Sequence, residues 1–230
     1  ATTEIYTLPL HDALPISRAR AEAGVAEPAA RPKPTALADA RVKGAVIREF
    51  LVWYESVHGR GYVERVCARL EPDELAKLSP ERMGLGMLPT GWYSSAIVHA
   101  VLDGVTEGAT PAEVSALLRE GNAVVVQRMT RGLYQFLFRM VGSPALYAKH
   151  IQRAWRLLHT TGERHMELSP GRAESSIRDW PGHHPVLCEL TTETMRTVFE
   201  VMGCRHVTAE PVACLSRGDL ECRTILRYEG

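Results

Sequence analysis

What this sequence lacks narrows its role before any motif is read. It has no charge of either sign to spare, since 27 Lys plus Arg balance 27 Asp plus Glu. The chain as a whole therefore has no polyelectrolyte attraction for nucleic acid or an acidic membrane surface. No apolar run approaches the roughly 18 residues of a spanning helix, and the N-terminal stretch carries no secretory apolar core. These absences lead to the expectation of a cytoplasmic protein with no direct nucleic-acid or membrane partner. There is no Gly-x-Ser-x-Gly elbow, P-loop, His-Glu-x-x-His pair or dinucleotide fingerprint, so an enzyme is not expected. Cysteine is sparse: five in 230 residues, an odd number that suits reduced thiols or a metal site better than a disulfide framework. What is present, 45% hydrophobic and 23% charged residues, is ordinary for one globular domain.

Residues 1–36 read as a disordered leader, with Pro9, Pro15, Pro28, Pro32 and Pro34 among Ala and Arg and no sustained apolar period. Within it, Thr3 to Ser17 resembles a translated sequencing-library adapter, which marks part of the leader as artefactual. Residues 37–230 then read as a single domain. Val46, Phe50, Trp53 and Val57 recur at helical spacing up to Gly59, followed by shorter helices around Val63–Leu70 and Pro72–Leu78. Trp92 to Val105 reads as a further helix. Thr110-Pro-Ala-Glu113 has the form of a capping box ahead of Val114, Leu117, Leu118, Gly121 and Val125. The pattern continues through Leu133, Phe136, Leu137 and Met140, and Ser143-Pro144 opens a helix with Tyr147, Ile151, Trp155 and Leu158 on one side. After Gly162 the period changes to two: Arg164, Met166 and Leu168 alternate with His165 and Glu167, and Ala173–Trp180 returns as a strand. A helix over Pro185–Met202 and strands over His206–Cys214 and Glu221–Tyr228 close the chain. The fold class is α+β: a helical layer of about six helices followed by a ββαββ unit with a small antiparallel sheet.

Four of the five cysteines, Cys188, Cys204, Cys214 and Cys222, lie in the last 43 residues. A closing hairpin that turns about Gly218 sets Cys214 opposite Cys222, with Cβ atoms about 4.5–5.5 Å apart, close enough for both sulfurs to reach one metal. Cys188, in the first turn of the preceding helix, is a third candidate, because the helix N-terminus favours thiolate. Glu210 is the fourth. A straight strand leaves it about 13 Å from Cys214, so the arrangement requires a bend or bulge at Pro211; His183, His184, His206 and Cys204 are substitutes. The alternative is three buried thiols that pack as small hydrophobes.

Cys214-x-x-x-Gly218-Asp219-x-x-Cys222, with a helix that begins near Cys188 and an alternating last strand, resembles the end of the 4-vinyl-reductase-type domain. The upstream text, including VKGAVIREFLVWYESVHG and RGLYQFLFRMVGSPALYAKHIQRAW, is similar to an uncharacterised family of myxobacteria and other deltaproteobacteria. Together the resemblance covers about Val42 to Tyr228. It implies a fold shared with H-NOX-like sensors and TRAPP-type tethering subunits. It also implies a structural zinc held by Cys188, Glu210, Cys214 and Cys222.

The function expected from this is a non-catalytic, small-molecule-binding sensor or regulatory module. Its pocket for a small hydrophobic or aromatic ligand is drawn from Trp92, Tyr93, Phe136, Tyr147, His150 and Trp155, all of which also fit an ordinary core. The alternative is a homodimeric interaction scaffold resembling the tethering subunits. Haem is discounted, because the nearest string to a Tyr-x-Ser-x-Arg clamp, Tyr54-Glu-Ser56-Val-His58, ends in His and falls in a helix, and His99, His150 and His159 are placed in helices as well.

Overall fold

The helical spacing of Ile47, Phe50, Leu51 and Trp53 produces a helix, α1 (Gly44–His58), that buries these four side chains and stops at Gly59, whose φ of 75° is costly for any residue with a Cβ. The structure is a computed structural model and describes residues 39–131 and 142–230. The leader 1–36 and the expected helical residues Leu133, Phe136, Leu137 and Met140 lie outside the described residues. Two short helices follow, α2 (Tyr62–Cys67) and α3 (Pro72–Leu75), the second ending three residues earlier than its sequence suggests.

The segment from Trp92 departs from expectation. Trp92–Ser94 is a strand, β2, antiparallel to β1 (Arg41–Lys43), with Val42 opposite Tyr93. Helix α4 (Ser95–Thr106) begins only after it, where the Ser94 hydroxyl accepts the Ile97 N–H at 3.3 Å. Three residues of aromatic and small side chains carry no period of their own, so the strand was invisible without its partner 50 residues earlier. Helix α5 (Pro111–Arg131) starts with the expected capping box: Thr110 N–H donates to Glu113 Oε2 at 2.7 Å, and Glu113 N–H donates back to Thr110 Oγ1 at 3.3 Å. It packs against α1 through Gly121, where an added Cβ would stand 2.5 Å from Trp53 and 2.6 Å from Phe50.

Helix α6 (Pro144–Leu158), capped by Ser143, leads into the sheet. Strands β3 (Glu163–Ser169) and β4 (Arg172–Arg178), helix α7 (Pro185–Val201), and strands β5 (Arg205–Ala213) and β6 (Cys222–Glu229) realise the expected ββαββ unit. The order in the sheet is β3-β4-β6-β5, all antiparallel. Ala173, Ser175 and Ile177 of β4 and Cys222, Thr224 and Leu226 of β6 face inward at alternate positions. Helix α6 covers the β3 side and α7 the β5 side, with α5 packed behind α7. Because paired residues share a face, Arg164, Ile177 and Cys222 form one row across β3, β4 and β6 toward the helices.

Candidate metal centre and ligand cavity

The closing hairpin brings Cys214 and Cys222 together much as the turn about Gly218 suggests. Ala213 stands opposite Arg223, and Gly218 takes the left-handed conformation (φ 86°) after a 3-10 turn over Leu215–Arg217. Asp219 fixes the turn by accepting the Cys214 N–H at 2.7 Å. Cys188 lies in the first turn of α7, behind Pro185 and the cap residue His184. His183 completes the group: its Nε2 is 3.4 Å from Cys214 Sγ, and the donor atoms of His183, Cys188, Cys214 and Cys222 all lie within 4.8 Å of one another. The short link that carries His183 is held by its neighbours. His184 Nδ1 accepts the Val186 N–H at 3.2 Å while Nε2 faces Asp103 Oδ1 at 3.1 Å, and His99 Nε2 meets the Gly182 carbonyl at 3.0 Å. Burial holds His99 and His184 below the ordinary imidazole range, His184 at about 4, so the link is fastened by neutral rings at neutral pH.

Glu210 lies outside this group. The bulge expected at Pro211 is present, as a register shift between Pro211 and Ala213, but it does not swing the carboxylate inward. Glu210 pairs with Ile225, three residues beyond Cys222 and therefore on the opposite face of the sheet, where it bonds Arg227 at 3.2 Å. Cys204 and His206 also stand apart, Cys204 in a separate apolar cluster and His206 exposed on β5. The group is thus three thiols and one imidazole, a donor set that suits tetrahedral zinc, whose ligands sit about 3.5–3.8 Å apart around the ion. The thiols are unequal. Hydrogen bonds from Cys188 and Cys222, joined by His183 and Ser216, pull the Cys214 thiol well below its usual range. Donation to Cys214 and Cys222, with burial, raises Cys188. For Cys222, acceptance from Cys188 lowers the value, but donation to Cys214 and burial prevail and raise it.

Beside the cluster, α1, α5, α6, α7 and β3 line a half-open cavity of about 150 Å³. The α6 stripe Tyr147, Ile151, Trp155 and Leu158, read from the sequence as one helix face, lines it; so do Leu187, Leu190, Thr194 and Val198 of α7. Of the six positions expected at a pocket, Tyr147 and Trp155 line the cavity and three do not. Trp92 is a β2 residue, 38% exposed, with the Lys43 ammonium 4.3 Å over its ring. Tyr93 packs in the core near the backbone of Gly44 and Gly91, and its hydroxyl accepts the Leu88 N–H at 2.7 Å. His150 is half-buried, one position off the α6 stripe. Phe136 lies outside the described residues.

Among the polar residues of the wall, His159 and Arg164 were not expected there from the sequence. His159 is not in a helix: it is the residue after α6, in an isolated bridge with Val42, stacked on Trp155 at 3.7 Å and 5% exposed. Its Nδ1 has no hydrogen-bond partner among the described residues, and burial with the nearby Arg164 cation lowers its pKa to about 3. Arg164 is 7% exposed on β3, its position at the inward phase of the strand being the one signal in the sequence. Trp180 links cavity and cluster, standing edge-on to Trp155 at 5.0 Å and to His183 at 5.4 Å.

No protein family profile matches the chain, and no curated protein matches it. Solved structures do. An H-NOX protein from K. algicida, in the Fe(II) unliganded state, is 15% identical with a TM-score of 0.58, covering 82% of this chain and 97% of its own. An H-NOX protein from S. oneidensis in the Fe(II)NO ligation state is 13% identical, with a TM-score of 0.55 and coverage of 82% and 99%. A structure described as probing heme distortion in the H-NOX family is 11% identical, with a TM-score of 0.55 and coverage of 82% and 95%. This corrects the discounting of haem. The absence of a Tyr-x-Ser-x-Arg string does not set haem aside for a chain that shares the fold of proteins described by their iron ligation and heme. Of what a haem needs, the described wall supplies a buried neutral imidazole with an unpartnered Nδ1 and a cation, but its cavity of about 150 Å³ is ring-sized and smaller than a haem. The chain is similar in fold to H-NOX domains.

Proposed function

We propose that this chain is a non-catalytic sensor domain of the reducing cytoplasm, in which the cavity receives a small apolar ligand and a zinc on His183, Cys188, Cys214 and Cys222 ties the terminal hairpin to α7. The observation that carries this reading is the cavity itself: an apolar chamber of about 150 Å³ whose wall holds a deeply buried imidazole with an unpartnered nitrogen. Buried polar atoms without partners are rare in a packed core, and His159 lines the cavity. All five cysteines are free, which accords with a reducing compartment. The Cys214–Cys222 turn, with Asp219 pinning Cys214, supports placing the chain near the 4-vinyl-reductase type within this fold.

Ligand occupancy bears on Trp155, which stacks on His159 and meets Trp180, and Trp180 in turn packs on His183. The cavity wall and the metal centre are thereby neighbours through one indole. A haem would need more room than the described chamber gives; were it seated here, His159 and Arg164 are the residues that would hold it, and it would supply an iron able to take a diatomic gas. In that case His159 acts as the nitrogen donor, and the stacked Trp155 fixes the plane of its ring.

The test uses full-length protein purified without a histidine tag. One zinc per chain by elemental analysis, together with a thermal shift on adding toluene or a Soret band on adding haem, is the expected result. No metal, no thermal shift and no Soret band would leave the fold without this function.

A further inference from the structure

We infer that Arg164 makes the cavity a receptor for a small apolar carboxylic acid, with the carboxylate against its guanidinium and a ring-sized hydrocarbon body in the chamber. The inference rests on reading the cavity as a ligand site. Arg164 is a charge out of water with no counter-charge among the described residues. It is 7% exposed, its Nη2 has no hydrogen-bond partner, and it joins no ion pair among the described residues. Its Nε reaches Ser175 Oγ only at 3.4 Å, and its cation lies 5.5 Å from the centroid of the Trp155 ring. More exposed arginines of the same chain are paired: Arg178 with Glu221 at 2.6 Å, Arg196 with Glu193 at 2.8 Å and Arg227 with Glu210 at 3.2 Å.

A guanidinium does not shed its proton, so burial leaves it to be met by an anion or by water. Among the described residues no aspartate or glutamate lines the cavity, and Arg164 is the charged side chain in its wall. His159 beside it is neutral, so the chamber matches a single negative charge. That favours a monoanionic carboxylate over a phosphate ester that carries two. The planar fork of Arg164 suits the two oxygens of a carboxylate, and the unpartnered His159 Nδ1 offers a second donor in the tautomer that is protonated there. The size follows from the volume: a chamber of about 150 Å³ accommodates a benzene ring. The acid is accordingly of the benzoate class.

Calorimetric titration of the full-length, metal-retaining protein at neutral pH with benzoate and with benzyl alcohol separates charge recognition from simple apolar filling. Benzoate is expected to bind wild type at least about tenfold more tightly than the alcohol. Arg164→Met is expected to erase that preference while the alcohol binds as before, and Arg164→Lys to keep part of it. If both compounds bind wild type equally, Arg164 does not read a carboxylate, although the cavity remains a ligand site. If neither binds, and neither toluene nor haem is taken up, the cavity reading falls and this inference with it. If Arg164→Met does not fold, the wild-type and Arg164→Lys comparisons decide.

Discussion

Cys214 stands at the centre of the candidate metal site, because contacts from five residues converge on it. Its N–H is held by Asp219, its sulfur is 3.4 Å from His183 Nε2 and 3.1 Å from Ser216 Oγ, and the thiols of Cys188 and Cys222 donate to it. Its sulfur is the acceptor around which the other ligands gather, and their donation pulls its thiol below the usual range. Cys214→Ser is therefore expected to abolish zinc binding and to lower stability by several kcal/mol, since metal affinity in such a site is folding free energy. Elemental analysis and thermal denaturation with and without chelator check this: wild type loses stability to the chelator, and the variant has none left to lose. Cys204→Ala is the control, because Cys204 packs with Phe199 and Leu226 away from the cluster and its loss leaves the metal in place. At this scale the sequence was legible for Cys214 and Cys222, which sit at a hairpin whose register a single turn residue determines, while Cys188 on α7 was a candidate by its place in the first helical turn. It was misleading for Glu210. An odd residue offset and a bulge decide which face a side chain takes, and one step in either reverses it.

Two elements carry tests of how the helical layer is assembled. Gly121 lies where α5 meets the Trp53 and Phe50 rings of α1, both within 2.6 Å of an added Cβ. Gly121→Ala gains about 1 kcal/mol of helix propensity but forces two buried rings aside, an overpacking cost of about 1–3 kcal/mol, and the net is destabilising. Chemical denaturation gives the sign, and a more stable variant would contradict the packing. At the β2–α4 junction, Ser94 belongs to the strand and also caps the helix, so Ser94→Ala is expected to cost about 0.5–2 kcal/mol. If Trp92–Val105 were one continuous helix, the same change would cost little. Long elements such as α1, α6 and α7 were legible because three or four turns of apolar stripe repeat the signal. β1 and β2, three residues each, were not, because each exists only through the other.

For the whole molecule, the buried histidines set the response to acid. Burial, with Arg164 nearby, keeps His159 neutral in the folded chain down to about pH 3, whereas an unfolded histidine takes its proton near 6.5. Between those values the unfolded state binds more protons, so stability falls as the pH drops from about 6.5 toward 3. The loss reaches at most about 1.4 kcal/mol per pH unit for this one group. His99 and His184, also held below their ordinary range, add to the fall in the same direction. Urea unfolding at pH 7 and pH 5 is expected to show a smaller loss for His159→Phe than for wild type; equal losses would mean that His159 is not neutral in the fold. The amino-acid sequence determined by itself the class and order of the architecture and the meeting of Cys214 with Cys222, because helical stripes, strand alternation and hairpin turns are local and repeat. Only the tertiary structure decided that the stripes of α6 and α7 border a chamber as well as a core, that His183 and not Glu210 joins the thiols, and that His159 and Arg164 stand buried without full partners. The physical reason is that burial and partnership belong to pairs of elements distant in the chain, and a side chain on an apolar face reads the same whether it meets another side chain or a cavity.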